Sequence, residues 1–185
     1  MTPESRFTPP SPWCEHPEHW HADDAQATEH EVTELAAAFV RALQPEIVVE
    51  TGSNTGQTTE AIGRALAKNG HGRLYSLEVD EALAAKAAER CEGLPVTVVI
   101  ADSLAWSPPG DVGFAWLDSE PGIRHLELLR LRPHLLPGAL VGVHDTGPQH
   151  VTYQFLKPLI ADGVFLPITL RTPRGVTFGT VRPQG

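Results

Sequence analysis

Acidic and polar side chains follow each of five β-branched or apolar runs in this 185-residue chain. Glu50 leads into Thr51-Gly52-Ser53-Asn54-Thr55-Gly56, Glu78 is followed by Asp80, and further on come Asp102-Ser103, Asp118 and His144-Asp145-Thr146. Carboxylates so placed can accept sugar hydroxyls, hold a cation or move a proton, and an imidazole beside one can act as a base near neutral pH. Gly52 and Gly56 let a backbone approach a ligand closely. Their E-x-G-x-x-x-G spacing is neither G-x-G-x-x-G nor the phosphate-cradling loop, because no Lys follows Gly56. Phosphate is not the expected ligand.

Such residues form one site only if the elements before them lie side by side. Strands are expected at 46–51, 73–78, 96–101, 112–117 and 139–144, with helices at 27–43, 56–68, 81–91, 122–135 and 149–161. Alternation at this spacing predicts a parallel sheet with helices on both faces, whose ligand site lies outside the carboxyl ends of the strands. The uninterrupted Val96-Thr97-Val98-Val99-Ile100 suits a strand covered on both faces. Residues 165–170 and 176–181 flank Thr172-Pro173-Arg174-Gly175 and predict a terminal antiparallel hairpin. Pro3, Pro9, Pro10, Pro12 and Pro17 oppose regular structure, so residues 1–26 are expected to form an irregular arm before a single domain at 27–185. Within the arm, Cys14-Glu15-His16-Pro17-Glu18-His19-Trp20-His21 fits no structural zinc spacing, and a covering role over a substrate suits it better.

A formal net charge of −9 argues against a nucleic-acid surface and for a small-molecule partner. Two distant cysteines, Cys14 and Cys91, make no disulfide framework. With neither a leader-like apolar stretch nor a run long enough to span a membrane, a cytoplasmic location is expected. A second subunit closing the pocket, as in a homodimer, is left open.

Taken in order, V-V-E-T-G-S-N-T-G-Q-T-T at 48–59, L-Y-S-L-E-V-D at 74–80, V-T-V-V-I-A-D-S at 96–103, F-A-W-L-D at 114–118 and L-L-P-G-A-L-V-G-V-H-D at 135–145 resemble the class I S-adenosylmethionine-dependent methyltransferases. The resemblance covers roughly residues 27–182. It implies a three-layer α/β/α sandwich of Rossmann-like type, with a seven-stranded, mostly parallel sheet and an antiparallel strand from the C-terminal hairpin. It further implies that Gly52 and Gly56 face the methionine part of S-adenosylmethionine, with Glu50, Ser53, Asn54 and Thr58 also in the cofactor site. Glu78 would hold the ribose, Asp102 and Ser103 would meet the adenine, and Asp118 would approach the ammonium.

The fourth and fifth strand ends are similar to small-molecule O-methyltransferases of the catechol O-methyltransferase type, which hold Mg²⁺ or another divalent cation to acidify a hydroxyl acceptor. Asp118 and Asp145 match the two metal acids, and Thr146 stands where that type has Asn. Pro121 stands where it has a Lys base, which leaves the metal and the base open and brings His144 with Asp145 forward as catalytic candidates. The expected reaction is methyl transfer to a hydroxyl oxygen of a small molecule. Two rivals remain: a non-catalytic module that binds S-adenosylmethionine, and a nicotinamide-dependent oxidoreductase, which the absent G-x-G-x-x-G disfavours.

Overall fold

The computed structural model describes residues 11, 13–24 and 26–183; Pro3, Pro9, Pro10 and Pro12 of the expected arm lie outside them. The elements in chain order are α1 (His30–Leu43), β1 (Ile47–Thr51), α2 (Gln57–Asn69), β2 (Arg73–Glu78), α3 (Glu81–Arg90), β3 (Val96–Ile100), β4 (Val112–Leu117), α4 (Arg124–Leu131), β5 (Leu135–His144), α5 (Val151–Ala161), β6 (Phe165–Leu170) and β7 (Val176–Val181). They build one seven-stranded sheet in the order β3-β2-β1-β4-β5-β7-β6. β1 pairs in parallel with β2 and β4, while β7 runs antiparallel between β5 and β6. That inserted strand sets the sheet apart from the dinucleotide order 3-2-1-4-5-6 and so disfavours the nicotinamide alternative.

Strand side chains alternate between two apolar layers, because successive residues point to opposite faces. Val48 and Trp116 pack with Val32, Ala36 and Val40 of α1 and Ile62 and Leu66 of α2. Val49, Leu117 and Val143 pack instead with Leu128 of α4 and Leu156 of α5. Gly142 makes room for Trp116, since a Cβ there would lie 2.6 Å from the indole.

Several boundaries differ from expectation: α4 covers only 124–131 of the expected 122–135, its end passing into a 3-10 turn at Arg132–His134, and α5 starts at 151 rather than 149. Two further shifts have a visible cause. α1 starts at His30 rather than Ala27, because Thr28 and Glu29 turn their side chains into the cluster at the strand ends. β5 starts at Leu135 rather than 139; its first residue pairs with Val112, and pairing resumes at Leu140 after an irregular stretch containing Gly138 at φ +81°. Among the described residues, no helix is long and apolar enough to cross a membrane. Cys14 and Cys91 are buried free thiols.

Candidate active site

The carboxyl ends of β1, β2, β3, β4 and β5 open into a cleft of about 450 Å³. It is lined by Gly52, Asn54, Glu78, Asp102 and Ser103 from the first three strand ends, and by Asp118, Ser119, Arg124, Asp145 and Arg174. The volume lies in the range of small-ligand sites.

The turn after β1 works partly by close packing. A Cβ on Gly52 would stand 2.6 Å from the Asp118 carbonyl oxygen, so glycine lets β1 and β4 end side by side. A Cβ on Gly56 would meet Ala87 Cα at 2.8 Å, and Gly56 serves the packing of α2 on α3 rather than lining the cleft. Glu50 also sits below the cleft, fully buried, accepting hydrogen bonds from Ser76 Oγ at 2.5 Å and Thr59 Oγ1 at 2.6 Å. Burial outweighs those bonds and pushes its carboxyl up to about 7, with the charges of Asp118 and Glu78 adding to the rise. Ser53 is turned onto Ser76 at 2.5 Å and Thr58 lies 3.4 Å from the Thr33 hydroxyl; both border a smaller recess between the turn and residues 23–28.

Glu78 reaches across to the turn. Its Oε2 accepts from Asn54 N at 2.8 Å, and its Oε1 from Val79 N at 2.9 Å and Asp80 N at 3.1 Å. A carboxylate has about four acceptor positions, so roughly one stays available to a ligand hydroxyl. Asp102 Oδ1 accepts from Leu104 N at 2.9 Å, capping the turn after β3. Ser103 donates to Glu127 Oε1 at 2.5 Å. Glu127, which nothing in the local sequence marks, also accepts from Thr51 at 2.9 Å and Ser119 at 2.6 Å and so ties three strand ends together. Burial raises its pKa against the opposing pull of these hydroxyls.

Asp118, His144 and Asp145 converge. β5 ends at His144, and Asp145 takes a left-handed φ of +55°, so both neighbouring side chains reach one cluster. His144 is fully buried, with Nδ1 3.1 Å from Asp118 Oδ1 and Nε2 2.7 Å from Glu29 Oε2. Burial alone would lower its pKa, but the carboxylates of Asp118, Asp145 and Glu29 prevail and hold it up to about 10. An imidazole protonated at neutral pH and bonded through both nitrogens does not suit the general-base role expected of it. Asp145 is held as a carboxylate well below the usual range: burial opposes this, but His144, Arg124 and Arg174 outweigh it. It is an anchor for cations more than a proton carrier.

The cations are the residues that sequence reasoning missed. Arg124 Nη2 lies 3.0 Å from Asp118 Oδ1, and its Nη1 lies 3.0 Å from Asp145 Oδ2. Arg174, at the tip of the β6–β7 hairpin, grips Asp145 with Nε at 2.6 Å and Nη2 at 2.9 Å. The tip is fastened to the end of β5 by Thr146 N donating to Gly175 O at 3.0 Å and Gly147 N donating to Arg174 O at 2.8 Å. Residues ahead of α1 complete the wall, with Thr28 Oγ1 donating to Asp118 Oδ2 at 2.6 Å.

The donor set tests the expected divalent cation. Ligand atoms of Asp118, His144 and Asp145 lie within 4.8 Å of one another, a spacing a metal could use. Their chemistry does not fit one. Both Asp145 oxygens already carry guanidinium donors, both ring nitrogens of His144 face carboxylates, and Thr146 is buried with its hydroxyl bonded to Thr177 at 2.7 Å.

The sequence model of a family described as "Methyltransferase domain" matches residues 49–146, more than half of the chain. The chain belongs to this family. A search of curated proteins finds no match to this methyltransferase. Solved structures share its fold at low identity. An S-adenosylhomocysteine-bound methyltransferase of Podospora anserina is 13% identical with a TM-score of 0.76, the match covering 92% of this chain and 86% of that one. The O-methyltransferase TomG of Streptomyces achromogenes, involved in tomaymycin synthesis and solved with S-adenosylmethionine, is 20% identical with a TM-score of 0.71 over 90% and 85% of the chains. An O-methyltransferase of Bacillus cereus in complex with S-adenosylhomocysteine is 16% identical with a TM-score of 0.72 over 85% and 84%.

Proposed function

We propose that the protein transfers a methyl group from S-adenosylmethionine to a hydroxyl oxygen of a small molecule. The observation that carries this reading is Glu78: a buried carboxylate at the end of β2, tied to the turn after β1, bordering the cleft with acceptor capacity left over. Ribose hydroxyls suit it, although three backbone donors already on the carboxylate leave room for about one strong hydroxyl contact rather than two. Beside it, Val79 keeps 69% of its surface exposed, and with Leu83 and Ala101 it offers an apolar wall for a purine ring. Asp102 borders that wall, while Ser103 supports it through Glu127. Gly52 and Asn54 would flank the methionine part. Asp118 is a weaker partner for its ammonium than the resemblance implies, since Arg124, His144 and Thr28 already engage the carboxylate.

S-adenosylmethionine, when bound, supplies an activated methyl group with its own leaving group. The chain's part is to orient the acceptor and favour its oxyanion. Arg174, 17% exposed at the cleft, puts positive charge beside the acceptor's place. With Pro121 in the loop after β4 and His144 protonated, an acceptor that ionises in water, such as a phenol, fits best. Two free thiols suit a reducing cytoplasm, and the acidic chain suits a small-molecule partner. Titration calorimetry with S-adenosylhomocysteine, followed by a methyl-transfer screen against phenols, tests the reading. Micromolar binding and labelled product are expected; binding without transfer to any acceptor would favour a non-catalytic module, and no binding would sink both.

A further inference from the structure

Arg124 is the first residue of α4. A cation there is opposed by the helix dipole, and its side chain is nevertheless only 3% exposed. What holds it is the acid pair: 3.0 Å to Asp118 and 3.0 Å to Asp145, with further bonds from Nε to Ser119 O at 2.8 Å and from Nη1 to His144 O at 2.6 Å. The guanidinium thus bridges the two carboxylates that the catechol-type resemblance gives to a metal ion, and Arg174 adds a second guanidinium on Asp145. We propose that Arg124 stands permanently in the place of the divalent cation, so that this methyltransferase works without a metal.

Charge and geometry agree. A divalent ion needs anionic oxygens with free lone pairs, and here Asp118 Oδ1 and both Asp145 oxygens face guanidinium nitrogens, while Asp118 Oδ2 takes the Thr28 hydroxyl. To enter, a metal would have to expel a buried arginine and leave its charge unpaired, which is strongly unfavourable. The proposal also bears on substrate class. A metal site favours acceptors with two adjacent oxygens that chelate the ion, whereas a fixed guanidinium places no such demand. Acceptors with a single phenolic oxygen should therefore serve as well as vicinal diols. This rests on the function proposed above, but its main test does not.

The test is Mn²⁺ titration of chelator-treated full-length protein, followed by electron paramagnetic resonance of the free ion and by thermal melting. Wild type should hold no Mn²⁺ that depends on Asp118 at concentrations below roughly 1 mM, and its melting temperature should not move with the ion. Arg124→Ala empties the space between the acids. It should bind Mn²⁺ at least about tenfold more tightly than wild type and regain part of its lost melting temperature on adding Mn²⁺ or guanidinium ion. One Mn²⁺ bound to wild type below roughly 1 mM, and lost in Asp118→Asn, would overturn the proposal. So would a folded Arg124→Ala whose Mn²⁺ affinity equals that of wild type. If that variant does not fold, the wild-type titration decides alone. Failure to bind S-adenosylhomocysteine would strike the proposed function and leave the metal result standing.

Discussion

Glu29→Gln isolates the charge of one buried group while keeping its shape. In the native protein Glu29 Oε2 lies 2.7 Å from His144 Nε2, with both side chains fully buried, and Oε1 accepts from Arg174 N at 3.2 Å. Removing one partner of such a pair costs about 3–5 kcal/mol, and the lower end applies because the amide keeps a hydrogen bond. At about 2–4 °C per kcal/mol for a domain of this size, a fall of roughly 6–12 °C in melting temperature is expected. The sign with pH follows from the two groups. His144 is raised from 6.5 to about 10, so its contribution is complete below pH 6.5 and fades as pH rises through about 10. Glu29 is lowered despite its burial, chiefly by the charge of His144, so its contribution is present above pH 4.5 and fades as pH falls through its depressed value. The gap between wild type and variant should thus be widest from about pH 5 to 7 and shrink towards pH 10. Urea unfolding at pH 6, 8 and 9.5 measures it. A difference under about 1 kcal/mol at pH 6, or one that does not change by pH 9.5, would refute the charged network.

Three further outcomes are expected. Glu78→Ala should weaken S-adenosylhomocysteine binding about 10- to 100-fold in calorimetry with the far-ultraviolet dichroism unchanged, and unchanged affinity would remove the ribose assignment. Gly52→Ala, at φ +80° and with its new Cβ 2.6 Å from Asp118 O, should lose about 2–4 kcal/mol in denaturant unfolding and much of any activity. Glu50, raised to about 7, makes a contribution that is complete below pH 4.5 and lost as pH rises through 7, so Glu50→Gln should flatten the fall in stability between pH 5 and 8 by up to about 3 kcal/mol.

The sequence by itself determined the layers and most of the strand ends. Strand and helix periods are local, and Val96–Ile100 or the run at 47–51 announces itself within a few residues. The acids and His144 at those ends were legible too, because a parallel sheet gathers the ends of its strands in one place. Their partners were not. Glu29 lies 115 residues from His144, Arg174 lies 29 from Asp145, and Glu127 lies 24 from Ser103. Arg124 looked like any charge at a helix start, and residues 27–29 looked like the first turn of α1. Whether His144 takes a proton or keeps one, and whether Asp118 and Asp145 hold a metal or an arginine, depends on the sum of charges packed around each group. That sum is set by segments remote in sequence, so only the tertiary structure decided it.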